Sequence, residues 1–249
     1  TGAVEARGHK VLTAPNVNGK LTPEAIREVC AAHAAGNPGH MVLPKMVYIS
    51  DATELGTIYT KKELEALRAV CDQLGLYLYL DGARMGAALT VEGNDLLPKD
   101  FPRLCDAFYI GGTKNGLLFG ECLVIVNQAL QPNFRFALKQ GGGMLAKGRL
   151  LGLQFQAILE NDLWLKLARH ANFQAQRLQA GVLQAGYSLY ISSPTNQIFP
   201  IFSKKKLARL EQSFSFEFTQ RIDESHDAIR LVTSWATEPT WVDAFLAAI

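Results

Sequence analysis

The chain has 249 residues, 48% of them hydrophobic, and a formal net charge of +2 at pH 7. This length and composition are enough to bury a full hydrophobic core, which excludes a disordered or fibrous protein. The nearly neutral charge and the scattered basic residues argue against a nucleic-acid-binding protein. The densest basic run, SKKKLAR at 203–209, has no interleaved aromatic residue and is predicted to be the solvated start of a helix.

The sequence carries no membrane, disulfide or metal signature. No apolar stretch reaches the length of a membrane span and no signal peptide is recognisable, so we expect a cytoplasmic enzyme or binding protein. The four cysteines lack CxxC spacing and are expected to be small buried hydrophobes in a reducing compartment. The five histidines are dispersed, so we expect no metal site.

Short apolar runs alternate with longer amphipathic ones in the first half of the chain. Thr22 suits the N-cap of a first helix, Pro23 its first position and Gly36 its end. A second helix follows the capping box formed by Thr60 and Glu63. Strands are predicted at 9–15, 45–50, 76–81, 106–112 and 121–127.

This alternation predicts crossover connections and a mainly parallel sheet. The near-continuous apolar run CLVIV at 122–126 fits a sheet that is covered on both faces. Such folds bind ligands where the carboxyl ends of strands meet loops and helix N-termini. Asp81 ends one predicted strand, and the segment Gly111 to Lys114 lies at the end of the next.

The pattern changes in the second half of the chain. Residues 145–187 are almost wholly helical in pattern, and a small α+β unit follows. We therefore expect a large α/β domain over 1–145, connecting helices over 146–187 and a small C-terminal domain over 188–249. The small unit is predicted to contain strands at 188–192, 196–202 and 228–233, with helices at 204–219 and 239–248.

Asp81 and Lys114 lie about one crossover unit apart, which places them at neighbouring strand ends. Pyridoxal phosphate needs both residue types, because its aldehyde forms a Schiff base with a lysine and a carboxylate keeps its ring nitrogen protonated. The simpler alternatives are a helix-capping Asp81 and a solvated loop lysine at Lys114.

The segments YLDGARMGAAL and YIGGTKNG resemble the low-specificity L-threonine aldolases and related β-eliminating lyases of the aspartate-aminotransferase-like fold, fold type I. Four more segments match that family in the expected order: YISDATELGTIYTKKEL, GGGMLAKGRLLG, SPTNQIFPIF and IRLVTSW. The resemblance implies a pyridoxal-phosphate enzyme with a large α/β domain and a small C-terminal α+β domain. It also implies that about a further quarter of chain precedes Thr1.

The resemblance implies a role for four residues at the cofactor. Lys114 would form the Schiff base, and Asp81 would pair with the ring nitrogen. Ala83 is small enough for a flat ring to lie close to the backbone. Thr113 would donate its hydroxyl to the cofactor phosphate, or would merely cap a turn.

For the substrate, the resemblance implies that Arg84 and Arg230 hold the α-carboxylate, since a planar guanidinium can bind a carboxylate through two parallel hydrogen bonds. The alternative for Arg230 is a surface arginine at a strand edge. Lys147 and Arg149 would reach a cofactor phosphate across a subunit interface, or are ordinary helix charges.

One feature of the family is missing from the sequence. Threonine aldolases carry a histidine in the segment that corresponds to YISDATELGT, where it handles the proton of the substrate's β-hydroxyl group. This chain offers Asp51 or Glu54 there instead, and a carboxylate needs a raised pKa to act as that base.

The resemblance implies aldol cleavage of L-threonine or L-allo-threonine to glycine and an aldehyde, in a homodimer or homotetramer. Two alternatives stay open. The first is a pyridoxal-phosphate-dependent β-elimination or transamination on another small amino acid. The second is an inactive fragment or binding module that keeps the fold without a complete cofactor site.

Overall fold

The computed structural model describes residues 2–35 and 38–249 of the chain. The α-helices are α1 (Pro23–Ala34), α2 (Lys61–Leu74), α3 (Met85–Leu89), α4 (Phe101–Leu104), α5 (Phe134–Gln140), α6 (Arg149–Leu159), α7 (Leu163–Gln184), α8 (Lys204–Leu210) and α9 (Pro239–Ala248). The strands are β1 (Met46–Ser50), β2 (Tyr77–Asp81), β3 (Ala107–Gly111), β4 (Glu121–Ile125), β5 (Leu189–Ile191), β6 (Gln197–Ser203), β7 (Glu217–Arg221) and β8 (His226–Val232).

The first sheet has the strand order β1-β2-β3-β4. β1 and β2 are parallel, as are β2 and β3, whereas β4 is antiparallel to β3. The sheet is therefore mainly parallel, as the alternating pattern predicts. Because β2 and β3 run in the same direction, the loops that follow Asp81 and Gly111 meet at one edge of the sheet.

The helix α2 shows how local sequence sets an element. The Thr60 hydroxyl accepts the N–H of Glu63, and the Glu63 carboxylate accepts the N–H of Thr60, which is the predicted capping box. The helix ends at Gly75, whose φ of 65° is the left-handed conformation that favours glycine. A stripe of apolar residues buries one face of α2 against the sheet: Leu64, Leu67, Val70 and Cys71.

The two faces of the first sheet differ. Alternate strand residues on one face are buried with α2 in the first hydrophobic cluster, among them Ile49, Leu78 and Leu80. The strand residues between them include Tyr48 and Tyr79, which are partly exposed. The site-forming loops begin where this sheet ends.

The second sheet is smaller and antiparallel, with the strand order β5-β6-β8-β7. Its buried residues form a second hydrophobic cluster with α8 and α9, which includes Ile198, Phe202 and Ile229. The arrangement confirms the expected fold class, a mainly parallel α/β sheet with a smaller α+β unit.

The 22-residue helix α7 contacts both clusters. Trp164 near its start belongs to the first cluster, while Ala175, Leu178 and Val182 belong to the second. At a rise of about 1.5 Å per residue, a helix of this length spans about 33 Å. This helix therefore supplies side chains to both cores.

Two predicted elements were wrong. Residues 9–15 form no strand; they are mostly exposed and pair with no strand in the part of the chain that the structure describes. The predicted helix over 204–219 ends at Leu210, and Glu217–Arg221 is the strand β7. The reason is visible in the sequence: Phe214, Phe216 and Phe218 alternate with polar residues, which is the period of a strand rather than a helix.

The long helical region is also divided. α6 and α7 are separate helices, because Asn161 and Asp162 between them have φ angles of 54° and 55°. The predicted end of the first helix, Gly36, lies outside the described residues. Within residues 2–35 and 38–249, no helix combines the length and the hydropathy that crossing a lipid bilayer requires.

Candidate active site

Two glycine-containing loops lie against each other where β2 and β3 end. The N–H of Gly111 donates to the carbonyl of Gly82 over 3.0 Å. A Cβ atom at Gly82 would lie 1.9 Å from the carbonyl oxygen of Tyr109, and one at Gly111 would lie 2.5 Å from that of Ala83. The two loops can therefore approach this closely only because both positions are glycine.

Asp81, the last residue of β2, presents a carboxylate that accepts three hydrogen bonds. The Ala83 N–H donates to Oδ1 over 2.9 Å, the Tyr109 hydroxyl donates to Oδ1 and the Tyr48 hydroxyl donates to Oδ2. Asp81 does not cap the next helix, because the N-cap position of α3 is Arg84. The structure thus excludes the helix-cap alternative for Asp81.

The tyrosines around Asp81 remain protonated donors at neutral pH. Burial, followed by the hydrogen bond to Asp81 and its charge, raises the pKa of Tyr48 and of Tyr109. Burial, followed by the Asp81 charge, raises the pKa of the neighbouring Tyr79 to about 12. Sequence analysis missed these tyrosines, although their positions on β1, β2 and β3 were an available signal.

Lys114 and Thr113 are exposed on the loop that follows β3. The buried Asn115 fixes this loop, since its Nδ2 donates to the Ala83 carbonyl over 3.1 Å and to the Gly111 carbonyl over 2.6 Å. The Thr113 hydroxyl accepts the N–H of Gly120 over 3.1 Å, a turn-capping contact. The bond from Asn115 to Ala83 ties the Lys114 loop directly to the loop that follows Asp81.

A small pocket of about 10 Å³ joins Lys114 to Arg84. The pocket is also lined by Asn196, which directly precedes β6, and by Trp235. Asp81 does not line it, but it lies only three residues from Arg84 in the chain. Sequence analysis missed Asn196 and Trp235, for which the only signal was their place within the matched segments SPTNQIFPIF and IRLVTSW.

Arg84 is a buried cation, with only 8% of the residue exposed. It forms no ion pair with any carboxylate of the described residues, and its Nε has no hydrogen-bond partner there. Burial lowers the pKa of Arg84, an effect that the charge of Glu54 partly offsets and that of Arg230 adds to. A guanidinium left in this state can accept an anionic ligand.

Arg230 lies on β8 and is already paired with carboxylates. Its Nη1 donates to Glu54 over 3.2 Å and to the Gln197 side chain over 3.3 Å, and its Nη2 donates to Glu217. The glutamates are well exposed, whereas Arg230 is largely enclosed. The structure therefore brings both predicted arginines near Glu54, but it leaves only Arg84 unpaired.

The turn that carries Glu54 is held by the small unit. The Gly56 carbonyl accepts the hydroxyls of Ser193 over 3.1 Å and of Thr195 over 3.0 Å. The Gln197 side chain donates to the Thr53 carbonyl over 3.1 Å. These donors are fully buried, so the turn over 53–57 is a structured part of the boundary between the two sheets.

The two candidate bases have opposite surroundings. Asp51 is 1% exposed and accepts the N–H of Tyr59 over 3.3 Å. Burial raises the pKa of Asp51 to about 7, which suits proton transfer at neutral pH. Glu54 is accessible but is engaged by Arg230.

The remaining predicted residues lie apart from this pocket. Lys147 and Arg149, at the start of α6, are exposed to solvent. Across residues 2–35 and 38–249, no three His, Cys, Asp or Glu side chains converge in a way that could hold a metal ion.

Comparison with known proteins identifies the family. Residues 1–204 match the model of the beta-eliminating lyase family. A low-specificity L-threonine aldolase from a Pseudomonas species is 35% identical over 98% of this chain and 69% of the relative. One from Pseudomonas aeruginosa is 33% identical over 94% of this chain and 66% of the relative. The chain thus spans about two thirds of the length of these curated relatives.

Solved structures agree. A threonine aldolase from Leishmania major is 45% identical in sequence and superposes with a TM-score of 0.94. The match covers 99% of this chain and 71% of the Leishmania chain. A protein described as a putative L-allo-threonine aldolase, from Listeria monocytogenes, is only 18% identical but shares the fold, with a TM-score of 0.71 over 98% of this chain and 68% of its own. The chain therefore belongs to the beta-eliminating lyase family of pyridoxal-phosphate-dependent enzymes.

Proposed function

We propose that the protein is a pyridoxal-phosphate-dependent lyase that cleaves L-threonine or L-allo-threonine to glycine and an aldehyde. The observation that carries this proposal is the buried, unpaired guanidinium of Arg84 in one pocket with Lys114. An amino-acid substrate brings a carboxylate for Arg84 and an amino group that would replace the Lys114 amine on the cofactor's aldehyde. The names of the Pseudomonas and Leishmania relatives support threonine as the substrate.

The residues at the two loops fit the cofactor. A carboxylate fixed by three donors stands at the end of β2, an exposed lysine stands on the neighbouring loop, and the buried Nε of Arg84 and Oδ1 of Asn196 lack partners within the described chain. Asp81, Ala83, Thr113 and Lys114 would hold the group. When bound, it supplies an aldehyde that takes up an amine and a ring that withdraws electrons from the substrate's α-carbon.

Arg84 orients the substrate in this proposal. Its guanidinium can bind the α-carboxylate with two parallel hydrogen bonds, which fixes the amino acid about its α-carbon. The enclosed position strengthens this interaction, because few waters compete for the guanidinium. Orientation matters for the reaction since it decides which bond at the α-carbon is aligned for cleavage.

Asp81 and Lys114 would act on the cofactor in different ways. The Asp81 carboxylate would keep a proton on the ring nitrogen of the cofactor, and the Lys114 amine would attach the cofactor before substrate arrives. Arg230 would be a second carboxylate ligand, for which the substrate must displace Glu54 or Glu217 from the guanidinium. Lys147 and Arg149 would contact the phosphate of a neighbouring subunit's cofactor.

The test is to measure glycine released from threonine and allo-threonine by the cofactor-saturated protein. We expect release by the wild type and loss of at least about a hundredfold in Lys114→Ala, with unchanged release in the exposed-lysine control Lys99→Ala. Borohydride reduction followed by mass mapping should place one cofactor on Lys114. Hydrogen exchange at the α-carbon without glycine release would contradict the aldolase assignment and favour elimination or transamination.

We also propose that the chain is organised as a cofactor-binding domain over 1–145, connecting helices over 146–187 and a small domain over 188–249. The separate hydrophobic clusters of the two sheets support this division. The four cysteines are free thiols, two of them buried, which supports a reducing compartment and hence a cytoplasmic location.

A homodimer or homotetramer is the proposed assembly. Large apolar side chains are exposed along α6 and the loop before β4, including Leu118, Phe119, Leu150 and Leu153. Large exposed apolar side chains of this kind are typical of an interface. Sedimentation should show a dimer or larger species, and Leu153→Glu should shift it toward the monomer. A wild type that sediments as a monomer at high concentration would contradict this assembly.

A further inference from the structure

Three tyrosines lie in a row across the first sheet, one on each of β1, β2 and β3. Tyr48 is paired with Tyr79 in the register of the two strands, and their rings stack with centroids 5.4 Å apart. The ring of Tyr109 follows, 6.4 Å from that of Tyr79. Tyr79 and Asp81 are two residues apart on β2 and therefore point to the same face of the sheet.

The three tyrosine hydroxyls differ in whether they donate a hydrogen bond to Asp81. Tyr48 donates to one carboxylate oxygen of Asp81, and Tyr109 donates to the other. Within the described residues the hydroxyl of Tyr79 makes no hydrogen bond to Asp81, although its ring lies between the other two. The outer tyrosines thus hold both carboxylate oxygens, and the central one packs between them.

We propose that Tyr48 and Tyr109 are positioning residues that orient the Asp81 carboxylate, so that its negative charge is held in place for the ring nitrogen of the bound cofactor. This inference rests on the proposed function only as far as cofactor binding. The residues act through Asp81 and do not touch the reacting atoms.

The physical reason is that a hydrogen bond to an anion stabilises its charged form. Two phenol donors occupy both carboxylate oxygens of Asp81, so its negative charge is met by a hydrogen bond on each side. Burial and the Asp81 charge raise the pKa of both tyrosines, so neither loses its own proton at neutral pH. The backbone N–H of Ala83 supplies a third donor that no side-chain substitution removes.

Orientation is the second contribution. A carboxylate held by donors from β1, β3 and its own loop has little freedom to rotate. Phenylalanine keeps the ring stack while removing a single hydroxyl, so Tyr48→Phe and Tyr109→Phe isolate the hydrogen bonds. Tyr79→Phe is the matched control, since it removes a hydroxyl from the same row without touching Asp81.

The experiment measures the dissociation constant for pyridoxal phosphate and the pH midpoint of the bound cofactor's absorbance change, in all three variants. We expect Tyr48→Phe and Tyr109→Phe each to weaken cofactor binding about tenfold and to move the midpoint by about one pH unit. Tyr79→Phe should match the wild type in both measurements. Far-UV circular dichroism with thermal melts checks that each variant is folded.

Three outcomes would overturn the inference. In the first, Tyr48→Phe and Tyr109→Phe match Tyr79→Phe in both measurements. In the second, all three variants lose cofactor binding equally. In the third, the wild-type protein binds no cofactor. Neither readout needs turnover, so the proposed reaction can fail separately: a wild type that binds the cofactor on Lys114 but releases no glycine would refute the aldolase assignment and leave this inference standing.

Discussion

Arg84 combines burial with the lack of a carboxylate within ion-pairing distance in the described chain. A buried polar group without partners carries its desolvation cost into the folded state, on the order of 1–3 kcal/mol and more when charged. Such a group is expected where a bound ligand supplies the missing hydrogen-bond acceptor. In the proposed function, the site would thus give up stability in the free chain in exchange for binding of a carboxylate.

Arg84→Met should separate these two effects. We expect kcat/KM for threonine to fall by at least about a hundredfold because the α-carboxylate loses its ligand, since a hydrogen-bonded charge pair of this kind is worth several kcal/mol. The free energy of unfolding of the cofactor-free protein should stay equal or rise, by about 1 kcal/mol, because methionine fills the volume without a charge. Urea denaturation and steady-state kinetics measure the two quantities.

The control for this prediction is Arg103→Met, which removes an exposed arginine paired with Glu65. It should leave both quantities nearly unchanged, since exposed pairs contribute little. If Arg84→Met destabilises the free protein by several kcal/mol, the guanidinium has a structural partner, and the carboxylate-site assignment is wrong.

The buried carboxyl of Asp51 should make the free energy of unfolding depend on pH. Burial raises its pKa to about 7 in the folded chain, against about 3.9 when unfolded. Between about pH 4 and about pH 7 the folded state holds a proton that the unfolded state has released. Asp51 therefore lowers the free energy of unfolding by about 1.4 kcal/mol for each unit of rising pH in this window, and the loss levels off above it.

Asp51→Asn should abolish that slope. The difference in unfolding free energy, wild type minus variant, is expected to decrease from pH 4.5 to pH 7 and then to stay constant. Urea denaturation at several pH values measures it, with the exposed Glu92→Gln as the matched acid-to-amide control. A flat difference for Asp51→Asn would show that the carboxylate is ionised throughout.

At this scale, the sequence predicted where the residues within motifs lie in the fold. Asp81 ends β2 and Lys114 lies on the loop after β3, and the structure brings these two segments into contact. The pairing of Arg230 with Glu54 and Glu217 could not be predicted, because it joins positions that are far apart in the chain or on different strands. The same is true of Tyr48, whose bond to Asp81 depends on the register of β1 and β2.

Among the elements, the turn over 53–57 is the most constrained by its neighbours. Gly56 has a φ of +72°, and a Cβ atom there would lie 2.1 Å from the Ser193 hydroxyl and 2.8 Å from the Ser193 Cβ. A side chain at Gly56 therefore meets both backbone strain and a buried neighbour that cannot move without losing its hydrogen bonds.

Gly56→Ala should cost clearly more stability than the same change at Gly93. Gly93 has a φ of +80°, and its added Cβ meets nothing within 4 Å, so that variant should show only the left-handed penalty of about 1–2 kcal/mol. We expect at least about 2 kcal/mol more for Gly56→Ala, since overpacking adds to the strain. Equal losses of unfolding free energy in urea would show that the turn is not enclosed.

Elements with local signals were predicted best. The capping box at Thr60 and Glu63 and the glycine at Gly75 set both ends of α2 within a few residues of sequence. The strand β7 was missed because KKKLARL starts as a good helix, and the strand period appears only from Phe214 onward. Residues 9–15 find no partner strand among the described residues, and a single segment cannot reveal whether it has one.

At the scale of the whole molecule, α7 couples the unfolding of the two hydrophobic clusters. Its residues enter both clusters, and the Thr233 hydroxyl donates to its Ala171 carbonyl while its Asn172 donates to the Ala87 carbonyl of α3. These bonds connect both sheets to one helix. We expect the two clusters to unfold together.

Leu64→Ala and Leu178→Ala test this expectation, one in each cluster. Each should lower the free energy of unfolding by about 2–5 kcal/mol in a single transition, seen at the same urea concentration by circular dichroism and by tryptophan fluorescence. Leu183→Ala, exposed on the same helix, should change little. Two separate transitions in Leu178→Ala would show that the small unit unfolds independently.

The paired glutamates have a consequence for the choice of substrate. Glu54 and Glu217 flank Arg230 with their carboxylates well exposed, so a ligand that approaches this arginine passes two exposed carboxylates. A neutral side chain crosses such an approach without penalty, while an anionic one is repelled by like charge. In the proposed function, these two carboxylates would discriminate against acidic amino acids by electrostatic exclusion, with no steric block required.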